Sequence, residues 1–307
     1  MCTFLKTSDI GILIDPGVSL GPRYGMLPHP TEYKLIYKKR SLLREIADKS
    51  DIITVSHYHH DHYTPSYEDT VFICSDKEQF QSIYRDKQVL VKDFHEKINH
   101  SQRRRGWIFQ KSLKKIAKGF ENADGRIFKF GETTLKFSDP VSHGEDNSML
   151  GWVLMMSIEK DGNKIIHSSD IQGPSSTEAL RWILAEGPNL LILSGPPVYL
   201  RDYLDNKTLF SSALKNMKKL TENISTIVID HHLIRAKDWV EQIAVLRDYA
   251  KDSKNQVLTA TELNNQENNA LEAKRNLLYE DMPPSKEFLK WTKLPKEKRR
   301  QNPPPIT

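Results

Sequence analysis

The stretch from residue 51 to residue 62 constrains this chain most, because a short apolar run leads directly into a cluster of histidines. The run at residues 52–55 is rich in β-branched side chains and predicts a buried strand. Behind it lies the pattern His-x-His-x-Asp-His, formed by His57, His59, Asp61 and His62. Side chains alternate along a strand, so His57 and His59 face the same way if the chain stays extended. Three imidazoles and a carboxylate suit zinc or a similar first-row metal. A solvated histidine-rich loop would not explain so dense a ligand set behind a core strand, so the stretch predicts a metal site.

The pattern also resembles the signature of the metallo-β-lactamase-fold hydrolases. Further motifs of that superfamily follow in order over residues 12–232, each after an apolar run: Asp15, His143, Asp170, and His231 or His232. The sequences around residues 23–30 and 194–197 are similar to an archaeal branch of the superfamily. The resemblance implies an α/β fold, the four-layer αββα sandwich, with metals at one edge of the sheets.

The resemblance implies a role for each of these residues. His57, His59 and His143 would hold one divalent cation, Asp61, His62 and His231 or His232 a second, and Asp170 would bridge the two. Zn²⁺ is the expected metal, with Mn²⁺ or iron as alternatives. Paired cations lower the pKa of a bound water, so that hydroxide forms near neutral pH and attacks the substrate. Asp61 would orient this nucleophile, and Asp15 would fix a ligand imidazole through a hydrogen bond.

Two adjacent histidines follow the apolar run at residues 227–229. Neighbours on an extended chain point to opposite faces, so we expect only one of His231 and His232 to bind a given metal. Periodicity does not decide between them, and we favour His231.

The loop at residues 20–30 follows a strand that ends at the candidate metal-site residue Asp15, and it is rich in Gly and Pro. Such a loop is well placed to line a pocket. Arg23 would then meet an anionic group of the substrate, and His29 would assist proton transfer. A solvated loop with a stray histidine is the competing interpretation.

Residues 85–118 carry a dense positive charge, with eleven Lys or Arg against three Asp or Glu, a net charge of +8. We expect a basic insertion at about residues 85–120 that interrupts the alternation of strands and helices. Before the insertion, a short helix is predicted at residues 41–49. Basic residues with interleaved aromatics favour binding of a phosphate backbone and unstacked bases. A solvated helix face is an equally good interpretation. A third is a mobile lid, in which Arg103, Arg104 and Arg105 reach a substrate phosphate.

The domain organisation follows from these features. We expect one metallo-β-lactamase-fold domain over residues 1–280 and a basic, Pro-rich tail at residues 281–307. The tail is predicted to be poorly ordered, with Phe288, Leu289 and Trp291 as candidates for docking on the body.

Composition limits the location and partners of the chain. Among its 307 residues there is no run of 18 apolar residues and no charged-then-apolar leader, so we expect neither a membrane span nor a signal peptide. Two cysteines cannot form a disulfide framework, and a reducing cytoplasm is the expected compartment. The oligomeric state is left open.

Three functions are consistent with these sequence features. The basic segments favour a phosphodiester hydrolase acting on nucleic acid or a nucleotide-like substrate. The second is a hydrolase of a thioester, lactone or related bond, with an anionic small molecule as its substrate. The third is a nucleic-acid-binding protein with a structural metal, which would use four protein ligands and leave no open position.

Overall fold

The first of the two large β-sheets in the described part of the chain brings together strands from its amino-terminal part. A computed structural model describes residues 1–146, 148–201 and 207–306. The strands are β1 (Thr3–Lys6), β2 (Gly11–Ile14), β3 (Ile52–Val55), β4 (Gln88–Val91) and β5 (Gly119–Asn122), in that order across the sheet. β1 pairs antiparallel with β2, and the remaining pairs are parallel. Parallel pairing requires crossover connections, which here contain helices.

The second sheet is mixed. Its strands are β6 (Ile127–Phe130), β7 (Thr133–Phe137), β10 (Met156–Lys160), β11 (Asn163–His167), β12 (Leu190–Ser194), β13 (Thr226–Asp230) and β14 (Gln256–Thr259), with β8 (Val141–Ser142) and β9 (Trp152–Val153) as a separate pair. The order is β14-β13-β12-β11-β10-β7-β6. β11 to β14 run parallel, whereas β6, β7, β10 and β11 form an antiparallel meander.

Helices cover the outer side of each sheet. The first sheet carries α1 (Pro30–Asp48), α2 (Lys77–Tyr84) and α3 (His100–Leu113), and the second carries α4 (Thr177–Glu186), α5 (Lys207–Asn223) and α6 (Trp239–Lys251). Four short helices follow: α7 (Ala260–Leu263), α8 (Arg275–Asp281), α9 (Lys286–Thr292) and α10 (Lys296–Gln301). No helix within the described ranges is long and apolar enough to cross a membrane.

The apolar residues of β2 show how the layers are built. Ile12 and Ile14 pack in the core between the two sheets, whereas Leu13 packs against the helices of the first sheet. This alternation is the period of a strand that is buried on both faces. Leu135 and Met156 supply the facing side of the inter-sheet core. The order helix, sheet, sheet, helix confirms the predicted αββα sandwich.

The parallel strands place their carboxyl ends at one edge. β2 and β3 in the first sheet, and β11 and β13 in the second, end in loops that carry Asp15, the histidine pattern, Asp170 and His231. In α/β proteins, ligands bind at the carboxyl ends of such strands. The candidate site therefore draws on both sheets.

Residues 85–120 are not an insertion, and that prediction is wrong. They supply β4, α3 and β5, which extend the first sheet by a regular β-α-β unit. On α3 the buried positions are Gln102, Gly106, Phe109, Gln110 and Leu113, at helical spacing, and the basic residues lie mostly on the opposite face. The charge thus marks the outer face of an integral helix, which also excludes the mobile lid.

The carboxyl-terminal residues are ordered by aromatic packing. Phe288 and Trp291 on α9 are buried, and both rings meet Tyr33 of α1 edge-on. Trp291 Nε1 donates a 2.7 Å hydrogen bond to the carbonyl of Asn302. The prediction of a poorly ordered tail is wrong for residues 281–306. Phe288 and Trp291 dock on the body of the protein, as the sequence suggested, whereas Leu289 is exposed.

We expect both thiols of the folded protein to resist alkylation. Burial raises the pKa of the Cys74 thiol to about 11 and that of Cys2 to about 12. Since the thiolate is the reactive form, at about pH 8 fewer than about one thiol in a hundred would be reactive. A thiol-reactive dye should label native protein slowly and denatured protein rapidly at both sites. Fast labelling of the native chain would contradict the raised pKa of these thiols.

Candidate metal centre

The histidine pattern folds into a compact cluster directly after β3. His57 and His62 are fully buried, and their ring centroids lie 4.1 Å apart. The rings of His57 and His59 are separated by 4.8 Å, and that of His59 lies 4.8 Å from the ring of His143. With Asp170, these residues form a first group whose donor atoms lie within 4.8 Å of one another: His57, His59, His143 and Asp170.

Several polar atoms of this first group have no hydrogen bond. Nε2 of His57, Nε2 of His143 and Oδ1 of Asp170 are buried without a hydrogen-bond partner among the described residues. Nε2 of His143 lies 2.8 Å from Oδ2 of Asp170, but not in hydrogen-bonding geometry. Leaving a buried polar atom unsatisfied costs about 1–3 kcal/mol. A cation among these atoms would satisfy them together, so the residues fit a metal.

A second group lies on the other side of Asp170. Nε2 of His231 is 3.3 Å from Oδ2 of Asp61, 3.4 Å from Nε2 of His62 and 3.5 Å from Oδ2 of Asp170. Asp61, His62 and His231 are close enough to hold a cation of their own. Because Oδ2 of Asp170 is also 4.0 Å from Nε2 of His62, its carboxylate stands between the two groups.

Both adjacent histidines point into the centre, contrary to the expectation that only one could. Nε2 of His232 lies 3.0 Å from Oδ2 of Asp170, and His231, His232 and Asp170 form a further group of close donors. The argument from alternation fails because His231 has a φ of +69°, so the chain is not extended there. The hydroxyl of Tyr199 is 2.9 Å from Nδ1 of His232 and holds this ring in place.

Asp15 contacts the metal centre through hydrogen bonds to His62 and Ser56. Its Oδ2 lies 2.8 Å from Nδ1 of His62 and accepts a 2.6 Å hydrogen bond from the Ser56 hydroxyl, and its Oδ1 accepts from the Ser56 amide. Both carboxylate oxygens are thus engaged. Asp15 therefore orients His62 and leaves its Nε2 facing the second group.

Protonation in the cluster suits metal binding. Burial lowers the pKa of His57 far below its usual value and that of His59 to about 3, so both imidazoles are neutral. Burial alone would raise the pKa of Asp170, but His232, His143 and His231 together lower it. The pKa of His143 is raised by Asp170 against the effect of burial. Metal ligands must be deprotonated, and neutral His57 and His59 meet that requirement.

Arg235 belongs to the site and was not predicted from the sequence. Its Nη2 is 3.4 Å from Oδ2 of Asp61, and its Nε is 3.3 Å from Glu272. Glu272 also forms an ion pair with Arg23, at 2.9 Å. The guanidinium of Arg23 lies 5.1 Å from the centre of the Tyr199 ring. Arg23 thus lies at the rim of the centre. The sequence signal for Arg235 is only its place four residues after His231.

His29 is not part of the centre. Its Nε2 donates to the carbonyl of Met282 at 2.8 Å, and its Nδ1 accepts from the amide of Thr31 at the start of α1. It is the N-cap of that helix. With both nitrogens engaged, His29 is not available for proton transfer, and this prediction is wrong.

The predicted arginines of α3 also lie outside the metal centre. Arg103 is exposed and donates to the carbonyl of His95. Arg105 donates to the carbonyl of Tyr58 and to the hydroxyl of Ser101, and Arg104 is exposed. None of the three has a metal-site residue as a hydrogen-bond or ion-pair partner in the described parts of the chain, so their role in substrate binding stays a prediction.

Relatives of the chain share most of its length. It is 42% identical over 247 residues to a UPF0282 protein of Methanocaldococcus jannaschii, covering 80% of this chain and 83% of that one. It is 38% identical over 279 residues to a UPF0282 protein of Methanopyrus kandleri, covering 91% and 94%. No protein-family model matches the chain.

Two of the solved structures that match the chain have low sequence identity to it. CmlA, a diiron β-hydroxylase from Streptomyces venezuelae, matches with a TM-score of 0.50 at 11% identity, covering 84% of this chain and 51% of that one. Tm1679, a metal-dependent hydrolase of the β-lactamase superfamily, matches with a TM-score of 0.44 at 13% identity, covering 81% and 85%. The predicted αββα fold is confirmed by the order of the layers, and the chain belongs to the archaeal UPF0282 family.

Proposed function

We propose that this protein is a binuclear metal-dependent hydrolase, with a phosphodiester as its substrate class. The observation that carries the proposal is the pair of donor groups on either side of Asp170, the first of which has buried ligand atoms without a hydrogen-bond partner among the described residues. Fixed cysteine-free groups of imidazole and carboxylate suit Zn²⁺, Mn²⁺ or iron. Two groups offer more ligands than a structural zinc needs, which favours catalysis over a structural metal.

The ligands divide between two positions. His57, His59 and His143 would hold one cation, Asp61, His62 and His231 the other, and Asp170 would bridge them. The approach of His232 to Asp170 makes it an additional ligand or a hydrogen-bond donor to the bridging carboxylate. When bound, the two cations would supply Lewis acidity and an activated water.

The protein's own groups then position the reaction. Burial raises the pKa of Asp61, but His62, His231 and Arg235 lower it well below its usual value, so this carboxylate stays ionised. It is 21% exposed, and an ionised Asp61 can accept a hydrogen bond from the attacking water and orient it. Arg235, beside it, offers a fixed positive charge to an anionic substrate group.

Arg235 is the feature of the centre that favours a phosphodiester. A guanidinium matches the geometry of phosphate oxygens, and this one is nearly buried beside the donor groups. The basic outer face of α3 would attract a polyanion over a longer range. A thioester or lactone substrate is favoured instead by Met149 and Leu150, exposed apolar residues whose loop contacts Gln102 beside His59.

The test is hydrolysis by metal-loaded protein of bis(p-nitrophenyl) phosphate, a short RNA and an aryl thioester. We expect turnover of the phosphodiesters, and for RNA a KM that rises steeply when salt increases from about 50 to about 200 mM. Turnover of the thioester alone, insensitive to salt, would replace the phosphodiester by the second substrate class. Absence of bound metal after reconstitution would refute the proposal as a whole.

Replacing Arg235 by glutamine should impair phosphodiester hydrolysis selectively. Loss of a guanidinium–phosphate contact is expected to lower kcat/KM about 10- to 100-fold, with metal content unchanged. The matched control is Arg247→Gln, which removes an arginine whose partner Glu262 lies away from the metal centre. An equal loss with a neutral thioester would show that Arg235 acts through Asp61 instead of through the substrate.

A further inference from the structure

A cavity of about 610 Å³ lies beside the loop that carries the histidine pattern. Its walls come from that loop, from α3 and from α10. No residue of the two metal groups lines it, so it is separate from the metal centre. His60 connects the cavity to the metal centre, because its side chain faces the cavity while its neighbours His59 and Asp61 belong to the metal groups.

Three guanidinium groups meet at this cavity, those of Arg104 and Arg105 from α3 and of Arg300 from α10. None of them forms an ion pair with a carboxylate of the described residues. Six arginines elsewhere pair with acidic side chains: Arg23, Arg126, Arg201, Arg235, Arg247 and Arg275. The two basic segments of the sequence, far apart along the chain, thus converge on one concave surface and leave their charge available to an anion.

Two carboxylates line the same cavity and reduce this charge only in part. Oδ1 of Asp69 accepts hydrogen bonds from the amides of Val71, Phe72 and Ile73, which stabilise its negative charge locally. Glu68 is exposed and has no ion-pair partner in the described ranges. Three guanidinium groups therefore face two carboxylates, one of which is already engaged.

The cavity also offers an aromatic surface. Tyr67 is 40% exposed, and its hydroxyl lies 2.7 Å from Nε2 of His60, which fixes the orientation of the ring. An exposed, oriented ring beside unpaired guanidinium groups suits a flat base attached to a phosphate. The volume is within the range of small-molecule sites.

We propose that this cavity binds a nucleoside monophosphate unit, either free or as the phosphorylated end of an RNA strand. Arg104 and Arg300 bind the phosphate, and the base stacks on Tyr67. A ligand held here bridges α3 and α10 and contacts His60 of the metal loop from its outer side. The inference does not depend on the proposed hydrolysis, because the cavity shares no residue with the metal groups.

The experiment is calorimetric titration of the full chain with AMP, GMP and UMP, with adenosine as the uncharged comparison. We expect saturable binding of at least one nucleotide with a Kd below about 1 mM, and adenosine at least about tenfold weaker. The double variant Arg104→Gln with Arg300→Gln should weaken nucleotide binding by at least about tenfold. The matched control is Arg44→Gln with Arg181→Gln, which removes two exposed charges outside the cavity and should bind as the unaltered chain does.

A further variant separates this site from the metal centre. Asp170→Asn, or removal of metal by a chelator, should leave nucleotide binding unchanged. Loss of binding under either condition, full binding by Arg104→Gln with Arg300→Gln, or no saturation at about 5 mM of any nucleotide would overturn the proposal. A short RNA with a terminal monophosphate distinguishes the two forms of the ligand. If the RNA competes with the nucleotide, the cavity binds strand ends, and if it does not compete, the cavity binds the free nucleotide.

Discussion

Replacing Asp170 by asparagine is expected to abolish hydrolysis and to remove most of the bound metal. Oδ2 of this residue lies 2.8 Å from Nε2 of His143, 3.0 Å from that of His232 and 3.5 Å from that of His231. An amide of the same shape carries no negative charge, so the two cations would lose their shared anionic ligand. We expect metal content to fall from about two ions per chain and kcat to fall at least about 10³-fold.

Elemental analysis of the purified chain, with activity measured on the same preparation, checks this expectation. Asp248→Asn is the matched control, since Asp248 is an exposed carboxylate that pairs with Lys251 on α6. Thermal melting of both metal-free variants shows whether either has lost its fold. If Asp170→Asn kept both its metal and its activity, the bridging role would be wrong.

Glu32→Ala is expected to destabilise the protein strongly, although Glu32 belongs to neither metal group. Arg275 is fully buried and binds Glu32 through two contacts, Nε to Oε2 at 2.8 Å and Nη2 to Oε1 at 2.7 Å. Removing the carboxylate leaves an uncompensated buried guanidinium, which costs about 3–5 kcal/mol. Glu32 also accepts the amide of His29 at the start of α1, so the helix cap is lost as well.

Chemical denaturation measures this loss as a change in the free energy of unfolding. The exposed pair Glu121 and Arg126 provides the control, and Glu121→Ala should change stability by about 1 kcal/mol or less. The double variant Glu32→Gln with Arg275→Met should recover part of the loss, because no buried charge remains. An effect of Glu32→Ala as small as that of the control would mean that water reaches Arg275.

The metal groups could be predicted because their signal is local. A strand followed by His-x-His-x-Asp-His brings its ligands together by short-range geometry, and apolar runs before Asp15 and Asp170 mark further strand ends. Conversely, the start of α1 at Pro30 could not be predicted. Its cap is His29, an unusual cap residue, and Glu32 is held by a partner 243 residues later.

The other errors have equally specific causes. The buried face of α3 could not be recognised from the sequence, because Gly106 and two glutamines occupy buried positions and interrupt the hydrophobic pattern. Alternation failed at His231 because its backbone leaves the extended region. Contact between Arg235 and Asp61 spans 174 residues, and nothing in the spacing of the sequence indicates it.

The position of the metal groups at the edge of both sheets has a consequence for how the protein unfolds. Asp15, His57 and His62 follow strands of the first sheet, whereas Asp170 and His231 follow strands of the second. A bound ion would therefore act as a reversible cross-link between the two halves of the sandwich. Since it binds only the folded arrangement, its concentration would set the melting temperature as well as the rate of catalysis.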